Sequence, residues 1–254
     1  MPADRIVTAC VLIIGNEILS GRTQDVNLNW LARQLTELGI RLREARVVSD
    51  IEAEIVKAVN EARARYDYVF TTGGIGPTHD DITSESVARA FGVPWERHPE
   101  AVRILEGQYE PGQLNEARLR MATTPRGATL VQNPVSAAPG FRMENVYVLA
   151  GVPSIMRAMF DGIRGELKGG RPVQSVTVST YLGEGIIARP LEDIQKTFDD
   201  LDLGSYPFFR GGRFGTSLVI RGTDRTRIDA AAGLLRTAIR SLGDEPVEGE
   251  PAAV

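Results

Sequence analysis

The chain has 254 residues, of which 43% are apolar and 24% charged; these values are typical of globular domains and exclude a disordered or fibrous chain. A formal net charge of −4 provides no basic field, so nucleic acid is not expected as a partner. The single cysteine, Cys10, cannot form an internal disulfide and is typical of a reducing compartment. We therefore expect a cytoplasmic protein with Cys10 in its core.

Strands and helices alternate in the first part of the chain. Strands are expected at residues 6–14, 40–48 and 66–72, which are apolar runs bounded by turn residues. The first intervening helix begins near Asp25, carries leucines at helical spacing and ends at Gly39. The run at 6–14 is too short to cross a bilayer, so no membrane association is expected. This order predicts a parallel sheet with helices on both faces.

Less regular segments follow. Prolines interrupt residues 93–125, which we interpret as one or two helices beside the sheet and as a candidate contact in a homo-oligomer. Strands are expected at 128–131 and 146–149, and the small residues of 133–141 are typical of a loop that approaches a ligand. A second glycine turn then leads into a helix that Ser154 could cap.

A linker containing glycine and proline, residues 168–172, divides the chain. The resulting parts are a domain at 1–168, a smaller domain at 172–244 and a frayed acidic tail at 245–254. The second domain is expected to be a small α+β fold with elements at 173–180, 186–198, 203–209, 216–221 and 225–242. Its Arg210 and Arg213 flank two glycines; they either hold a phosphate or, as we favour, border a solvated hairpin turn.

The most informative stretch follows the third strand. Residues 73–76 are Gly-Gly-Ile-Gly, and three glycines in four positions let a ligand approach the backbone. A helix is expected to begin at Asp80, where free N–H groups attract anions, yet Asp80 and Asp81 place negative charge there. A phosphate and two carboxylates coexist when a cation lies between them, which predicts a metal-assisted polyphosphate site. Alternatively, Asp80 caps the helix and the glycines only permit tight packing.

Two further acids are expected beside this loop. Glu17, Asp50 and Asp81 lie in turns that follow successive strands of the predicted sheet. The carboxyl ends of parallel strands meet at one edge, where open α/β sheets bind ligands. We therefore expect these three carboxylates at one site. The alternatives are a turn residue at Glu17, a helix cap at Asp50 and a solvated first-turn acid at Asp81.

Several of these motifs resemble those of one protein family. Residues 72–83 are similar to the signature of the molybdopterin-binding (MoaB/Mog-like) fold. Residues 15–21 and 25–27 resemble one branch of it, the N-terminal domain of competence/damage-inducible protein A (CinA), which is related to a domain fused to eukaryotic FAD synthase. The resemblance extends over nearly the whole chain, with further similar segments at 133–141, 151–154 and 205–207.

The sequence departs from this family at two points. Ala150 stands where the family usually has a proline before the glycine of the phosphate loop. The chain also ends where CinA proteins often continue into a nicotinamide-nucleotide amidase domain, so amidase activity is not expected. The fold implied for the first domain is a three-layer α/β/α sandwich with a mostly parallel sheet, followed by the small C-terminal α+β domain.

The resemblance also implies a function. Members of the wider family bind molybdopterin or its adenylated form, whereas the CinA-like branch is associated with metal-dependent hydrolysis of ADP-ribose and related dinucleotide pyrophosphates. It therefore implies a nucleotide pyrophosphatase that uses Mg²⁺, Mn²⁺ or Co²⁺; the alternative is a molybdopterin-binding protein of molybdenum cofactor biosynthesis. The ligand is a small nucleotide or pterin in both cases. Acids matching Asp50 and Asp81 are implicated in function in the family.

Hydrolysis of a pyrophosphate requires charge neutralisation on the phosphate oxygens and a water molecule in line with the leaving group. We assign Asp80 and Asp81 to a divalent ion, and Glu17 or Asp50 to orienting the water or binding a ribose hydroxyl. The expected catalytic residues are thus Asp81, Asp50 and Glu17. The expected substrate-binding residues are Gly73, Gly74, Gly76, Thr78, Thr83, Asn27 and Ser154.

Overall fold

A mostly parallel sheet organises the first unit of the chain, which ends at Gly170. The structure is a computed structural model that describes residues 5–110 and 112–250. The strands of this unit are β1 (Val7–Ile14), β2 (Ile40–Val48), β3 (Tyr68–Thr72), β4 (Trp95–Arg97), β5 (Thr123–Pro125), β6 (Thr129–Val131), β7 (Gly140–Met143) and β8 (Val146–Leu149). The main sheet has the order β2-β1-β3-β8-β7-β6, in which the first four strands are parallel, β7 is antiparallel to β8, and β6 is antiparallel to β7.

Helices cover both faces of this sheet. The helices of this unit are α1 (Asn16–Leu19), α2 (Asn27–Glu37), α3 (Glu52–Arg65), α4 (Thr83–Phe91), α5 (Pro99–Gln108), α6 (Glu116–Arg120) and α7 (Pro153–Ile163). Because side chains alternate along a strand, Val11 and Ile13 pack in a cluster with residues of α2 and α7, whereas Leu12 and Ile14 pack with residues of α3 and α4. This arrangement confirms the predicted three-layer sandwich.

The segment 93–125 contains α5 and α6, as expected, together with a short antiparallel pair of β4 and β5 that the sequence did not indicate. Ala101, Leu105 and Ala122 form its own small buried cluster. The prediction of a loop through residue 141 was wrong, because Gly140 begins β7. A Cβ atom at Gly140 would lie 2.3 Å from the carbonyl oxygen of Val148, so the glycine that suggested a loop instead permits strand pairing.

The second unit begins at Arg171 and has an antiparallel sheet with helices. Its elements are β9 (Gln174–Thr180), α8 (Glu184–Thr197), β10 (Asp202–Arg210), β11 (Arg213–Gly222), α9 (Arg225–Ser241) and β12 (Val247–Glu248). Val178 and Leu218 of the sheet share one buried cluster with Ile187 of α8 and Leu235 of α9. The helix α8 continues through Pro190, as expected. The predicted α+β fold is confirmed.

The turn between β10 and β11 is a tight hairpin. Gly211 and Gly212 have φ angles of 58° and 74°, which side chains rarely adopt, and Arg210 pairs directly with Arg213 across the turn. The Arg213 guanidinium lies 4.0 Å from the Tyr181 ring centroid. This geometry matches the hairpin interpretation of the two arginines.

The expectation of a frayed tail was wrong for the part that the structure describes. Val247 and Glu248 form β12, which pairs with β9, and Asp244 accepts hydrogen bonds from the Thr180 hydroxyl (2.6 Å) and the Tyr181 N–H (2.7 Å). A strand of two residues is too short to show a periodic pattern in the sequence. The acidic composition of the tail also gave no sign that the edge strand β9 is available for pairing. Residues 251–254 lie outside the described residues. Among the residues that are described, no helix combines the length and apolarity needed to span a bilayer.

Candidate functional site

Four neighbouring parallel strands end at one edge of the main sheet. Their register places Ile14 opposite Val48, Ile13 opposite Thr72, and Thr72 opposite Leu149. The turns that follow β1, β2 and β3 therefore emerge side by side, and they carry the predicted acids. The turn after β8 joins them. This edge is where open α/β sheets place their ligands.

The floor of the site consists of backbone. Gly73 has a φ angle of 101°, and a Cβ atom there would lie 2.2 Å from the carbonyl oxygen of Ile14. Gly74 has a φ angle of 67°, and its Cβ would lie 2.2 Å from the hydroxyl oxygen of Thr83. A Cβ at Gly151 would lie 3.2 Å from the Cα of Gly73. Conformation and space therefore both require glycine at 73 and 74, and the backbones at the carboxyl ends of β1, β3 and β8 approach closely here.

Thr83 holds this floor in place. Its hydroxyl donates to the carbonyl oxygen of Gly73 (3.0 Å), and its N–H donates to the carbonyl oxygen of Gly74 (3.0 Å). The side chain is completely buried, so the expectation that the Thr83 hydroxyl binds a ligand was wrong. Helix α4 begins at Thr83 with Ile82 at the capping position, three residues beyond the expected start at Asp80. Asp80 is consequently not a helix cap.

Asp81 closes the turn that precedes α4. Its Oδ2 atom accepts hydrogen bonds from the N–H (2.8 Å) and the hydroxyl (2.5 Å) of Thr78. A Cβ atom at Gly76 would lie 2.6 Å from the same oxygen, so Asp81 is packed against the glycine loop. Thr78 was expected to bind substrate, but its N–H and its hydroxyl both donate to Asp81 instead. The Oδ1 atom of the half-buried Asp81 accepts no hydrogen bond from the described residues.

Asp80 and His79 are more exposed. The His79 side chain is 99% exposed, and its Nδ1 lies 4.0 Å from an Asp80 carboxylate oxygen. The pKa of the Asp80 carboxyl is lowered, first by the nearby Thr78 hydroxyl, although the hydrogen bond of that hydroxyl goes to Asp81 Oδ2, and then by the backbone of Asp80. Asp80 is therefore ionised at neutral pH. The described part of the chain contains no group of three or more histidine, cysteine or acidic side chains arranged to hold a metal.

This donor set fits one class of ion. Magnesium and related ions bind through one or two carboxylates together with water and substrate phosphates, without a complete protein cage. The free Oδ1 of Asp81 and the exposed Asp80 carboxylate meet that requirement. A metal that needs several protein ligands, such as a structural zinc ion, does not match these residues.

The other two predicted acids, Asp50 and Glu17, differ in how they are held. An oxygen of Asp50 accepts the Asn16 N–H (2.8 Å), and the Asp50 N–H donates to the Asn16 side chain (3.4 Å). Asp50 is thus fixed between two turns and does not cap α3, whose capping residue is Ile51. The exposed Glu17 folds its carboxylate over Gly15, where a Cβ would lie 2.5 Å from the carboxylate oxygens.

Asn27 and Ser154 differ in burial, since Asn27 is buried and Ser154 is exposed. Asn27 is only 5% exposed, and its Nδ2 donates to the carbonyl oxygen of Gly151 (2.7 Å). Its Oδ1 is buried without a hydrogen-bond partner in the described structure. Asn27 therefore ties the start of α2 to the turn after β8. Ser154 is exposed and lies at the second position of α7, after Val152 at the cap and Pro153, so the expectation that it caps α7 was wrong.

Comparison with known families agrees with this architecture. Residues 10–168 match a family described as "probable molybdopterin binding domain". The chain belongs to this family of molybdopterin-binding domains. Residues 172–243, which form most of the second unit, match a different family, described as "FAD synthase, middle domain".

Individual relatives of this chain cover it to different extents. A protein of Pyrobaculum calidifontis is 42% identical over 161 residues, which are 61% of this chain and 62% of that protein. A probable FAD synthase of Caenorhabditis elegans is 32% identical over 256 residues, which are 90% of this chain and 49% of that protein. The chain thus spans about half to two thirds of the length of these relatives.

A crystal structure of protein CinA, of unknown function, from Thermoplasma acidophilum is similar to part of this chain. It has a TM-score of 0.60 and 34% identity, and the match covers 63% of this chain and 98% of that one. The MoaB/Mog-like fold and the similarity to CinA are therefore as the sequence motifs indicated.

Sequence reasoning missed several residues beside the loop of this molybdopterin-binding domain. Ser84, Trp95 and Arg120 line a crevice together with Gly76 and Asp81. Trp95 and Arg120 come from the segment 93–125, which has irregular hydrophobic spacing and no recognisable motif. Only the folded chain brings that segment next to the loop, so no local signal marked these side chains.

Proposed function

We propose that this chain hydrolyses the pyrophosphate bond of a dinucleotide such as ADP-ribose or FAD, with the assistance of Mg²⁺, Mn²⁺ or Co²⁺. The observation that carries the proposal is the Asp81 carboxylate, which is fixed against Gly76 through Oδ2 and has Oδ1 uncommitted. A floor of glycine backbone accommodates phosphate. An acid at its border would repel the phosphate unless a cation lies between the two negative groups. The similarity to a probable FAD synthase over 90% of this chain supports a dinucleotide ligand.

Each residue of the site would have a distinct role in this reaction. Backbone groups of residues 73–76 would bind the phosphate, while Asp80 and Asp81 would hold the ion. When bound, that ion neutralises charge on the non-bridging oxygens. Glu17 would accept a proton from the attacking water, and the fixed Asp50 would bind a ribose hydroxyl.

The reaction is a simple hydrolysis. The water oxygen forms a bond to one phosphorus atom while the bridging P–O bond breaks. ADP-ribose would give AMP and ribose 5-phosphate, and FAD would give AMP and FMN. Asn27, which donates a hydrogen bond to the carbonyl oxygen of Gly151, would keep the turn after β8 in position during the reaction.

The test is AMP release from ADP-ribose, FAD and NAD with each of the three metal ions and with a chelator. We expect release that requires metal and is abolished by Asp81→Asn. Asp161→Asn is the matched control, because Asp161 is an exposed acid on α7, and its activity should equal that of the wild type. Absence of release from every substrate with every ion would overturn the proposal.

A second candidate is binding of molybdopterin without hydrolysis. The family match over residues 10–168 favours it. Titration with molybdopterin in the presence of chelator distinguishes the two. Tight binding without metal-dependent AMP release would support this candidate, and absence of binding would remove it.

A further inference from the structure

A narrow crevice adjoins the glycine loop, between α4 and the segment 93–125. Gly76 and Asp81 form its wall on the loop side, and Trp95 and Arg120 line it from the segment. Arg120 is the last residue of α6 and is half-buried. A positively charged side chain thus borders the region proposed above to receive phosphate.

The guanidinium group of Arg120 has unused hydrogen-bonding capacity. Its Nε is buried and has no hydrogen-bond partner among the residues that the structure describes. No carboxylate within that part of the chain forms an ion pair with it, although Asp81 lines the same crevice. A buried donor without a partner is costly and rare, so it indicates a missing acceptor.

Neighbouring arginines provide a contrast. Arg126 makes a paired contact with the carboxylate of Glu96, with distances of 3.0 Å and 2.7 Å, and Arg97 forms an ion pair with Glu116. Both lie on or beside the short β4–β5 pair, as Arg120 does. Arginines of this region therefore can find carboxylate partners. Within the described residues, Arg120 differs from these two neighbours in having none.

Arg120 is also held in a defined position. The centre of its guanidinium group lies 5.5 Å from the centroid of the Trp95 ring. That ring is anchored, because its Nε1 donates to the Ser84 hydroxyl (3.0 Å) and to the carbonyl oxygen of Thr123 (3.1 Å). The Ser84 hydroxyl itself donates to the same carbonyl (2.7 Å). The cation is consequently oriented before any ligand binds.

We propose that Arg120 is a ligand-binding residue of this site, whose guanidinium group binds a phosphate of the molecule held at residues 73–76. Guanidinium groups bind phosphate oxygens with two parallel hydrogen bonds, which fits the unused donors. This inference rests on the proposed function in taking a phosphorylated ligand at the glycine loop. It adds that the ligand is recognised from two sides, by uncharged backbone and by an arginine on a rigid aromatic support.

The test is calorimetric titration of the full wild-type chain, the parent of the variants below, with Mg²⁺ and ADP-ribose in the form of its non-hydrolysable methylene-bridged analogue, which prevents turnover, and with inorganic pyrophosphate as a second probe. Arg120→Gln should weaken the binding of ADP-ribose about tenfold, the amount expected for a charge-assisted contact. Arg120→Lys should recover part of the loss, because charge returns without the paired geometry. Arg126→Gln is the matched control and should bind like its parent.

The outcomes separate this inference from the proposed function. If the parent binds ADP-ribose or pyrophosphate and Arg120→Gln binds it equally tightly, the role of Arg120 is overturned. If the parent binds neither, both the phosphate site and the role of Arg120 are overturned. If the wild type binds ADP-ribose but releases no AMP from it, the proposed hydrolysis is overturned. The comparison of Arg120→Gln with its parent then still tests the role of Arg120. Should Arg120→Gln melt at a lower temperature than its parent, Arg120→Met keeps the side-chain stem against Trp95, and its affinity decides.

Discussion

The carboxylate of Asp81 and the side chain and backbone of Thr78 form a closed turn, with both hydrogen bonds directed to one oxygen, Oδ2. The arrangement holds Oδ2 at Thr78, and within the described residues Oδ1 accepts no hydrogen bond. It explains how an acid that precedes a helix can be ordered without capping that helix. The precision of the Asp81 position therefore depends on a neighbouring hydroxyl.

Removal of this hydroxyl should reduce activity. We expect Thr78→Val to lower the rate of metal-dependent AMP release about threefold to tenfold, because one hydrogen bond to a charged group is lost. Thr78→Ser keeps the hydroxyl and should remain close to the wild type. Steady-state rates for the two variants provide the measurement. Equal rates for Thr78→Val and wild type would show that the turn does not position Asp81.

The glycine floor should tolerate no side chain. Gly73→Ala places a Cβ 2.2 Å from a backbone oxygen at a φ angle of 101°, so we expect a loss of about 3 kcal/mol or more in the unfolding free energy. Gly92 also has a positive φ angle, 65°, but open space around its Cβ position. Gly92→Ala should therefore cost only about 1 kcal/mol. Urea unfolding measures both, and similar losses would contradict the steric argument.

The single thiol should be inert in the folded protein. Burial, reinforced by the negative charge of Glu44, raises the pKa of Cys10 to about 12, so the thiolate is scarce at neutral pH. We expect negligible reaction with a disulfide reagent at pH 8 and complete reaction in urea. Cys10→Ser supplies the blank. Rapid labelling of the native chain would mean that β1 is accessible.

Acid should weaken the first unit through Glu44. Hydrogen bonds from Arg46 and then from Tyr66 lower the pKa of Glu44 below its ordinary value of 4.5. The folded state thus binds this proton less tightly than the unfolded state, so the stabilisation is present above pH 4.5 and is lost as the pH falls through the lowered pKa. Glu44→Gln should be less stable than wild type at pH 7, and the difference should shrink towards pH 3. Urea unfolding across this range is the measurement, with the exposed Glu54→Gln as control; a constant difference would refute the coupling.

The sequence was most informative about the sheet and least about its surroundings. The strand that contains Val11 and Leu12 is an apolar run rich in β-branched residues, as buried parallel strands are. The parallel sheet could therefore be predicted, and with it the convergence of the carboxyl ends of its strands. The start of α4 was misplaced because Asp80 and Asp81 look like capping residues, and the Thr78–Asp81 turn competes with capping. Arg120 could not be predicted, since its position depends on tertiary packing of the segment 93–125.

The close contact of Ile14, Gly73 and Gly151 has a consequence for how this protein can change. A floor made of backbone allows little variation by substitution, because a side chain added at Gly73 collides with the main chain and one added at Gly151 is already tight. Discrimination between ligands must then come from the surrounding segments, such as the one that contributes Trp95 and Arg120. Descendants of such a chain could acquire new ligands by altering that border while the phosphate-binding floor is inherited unchanged.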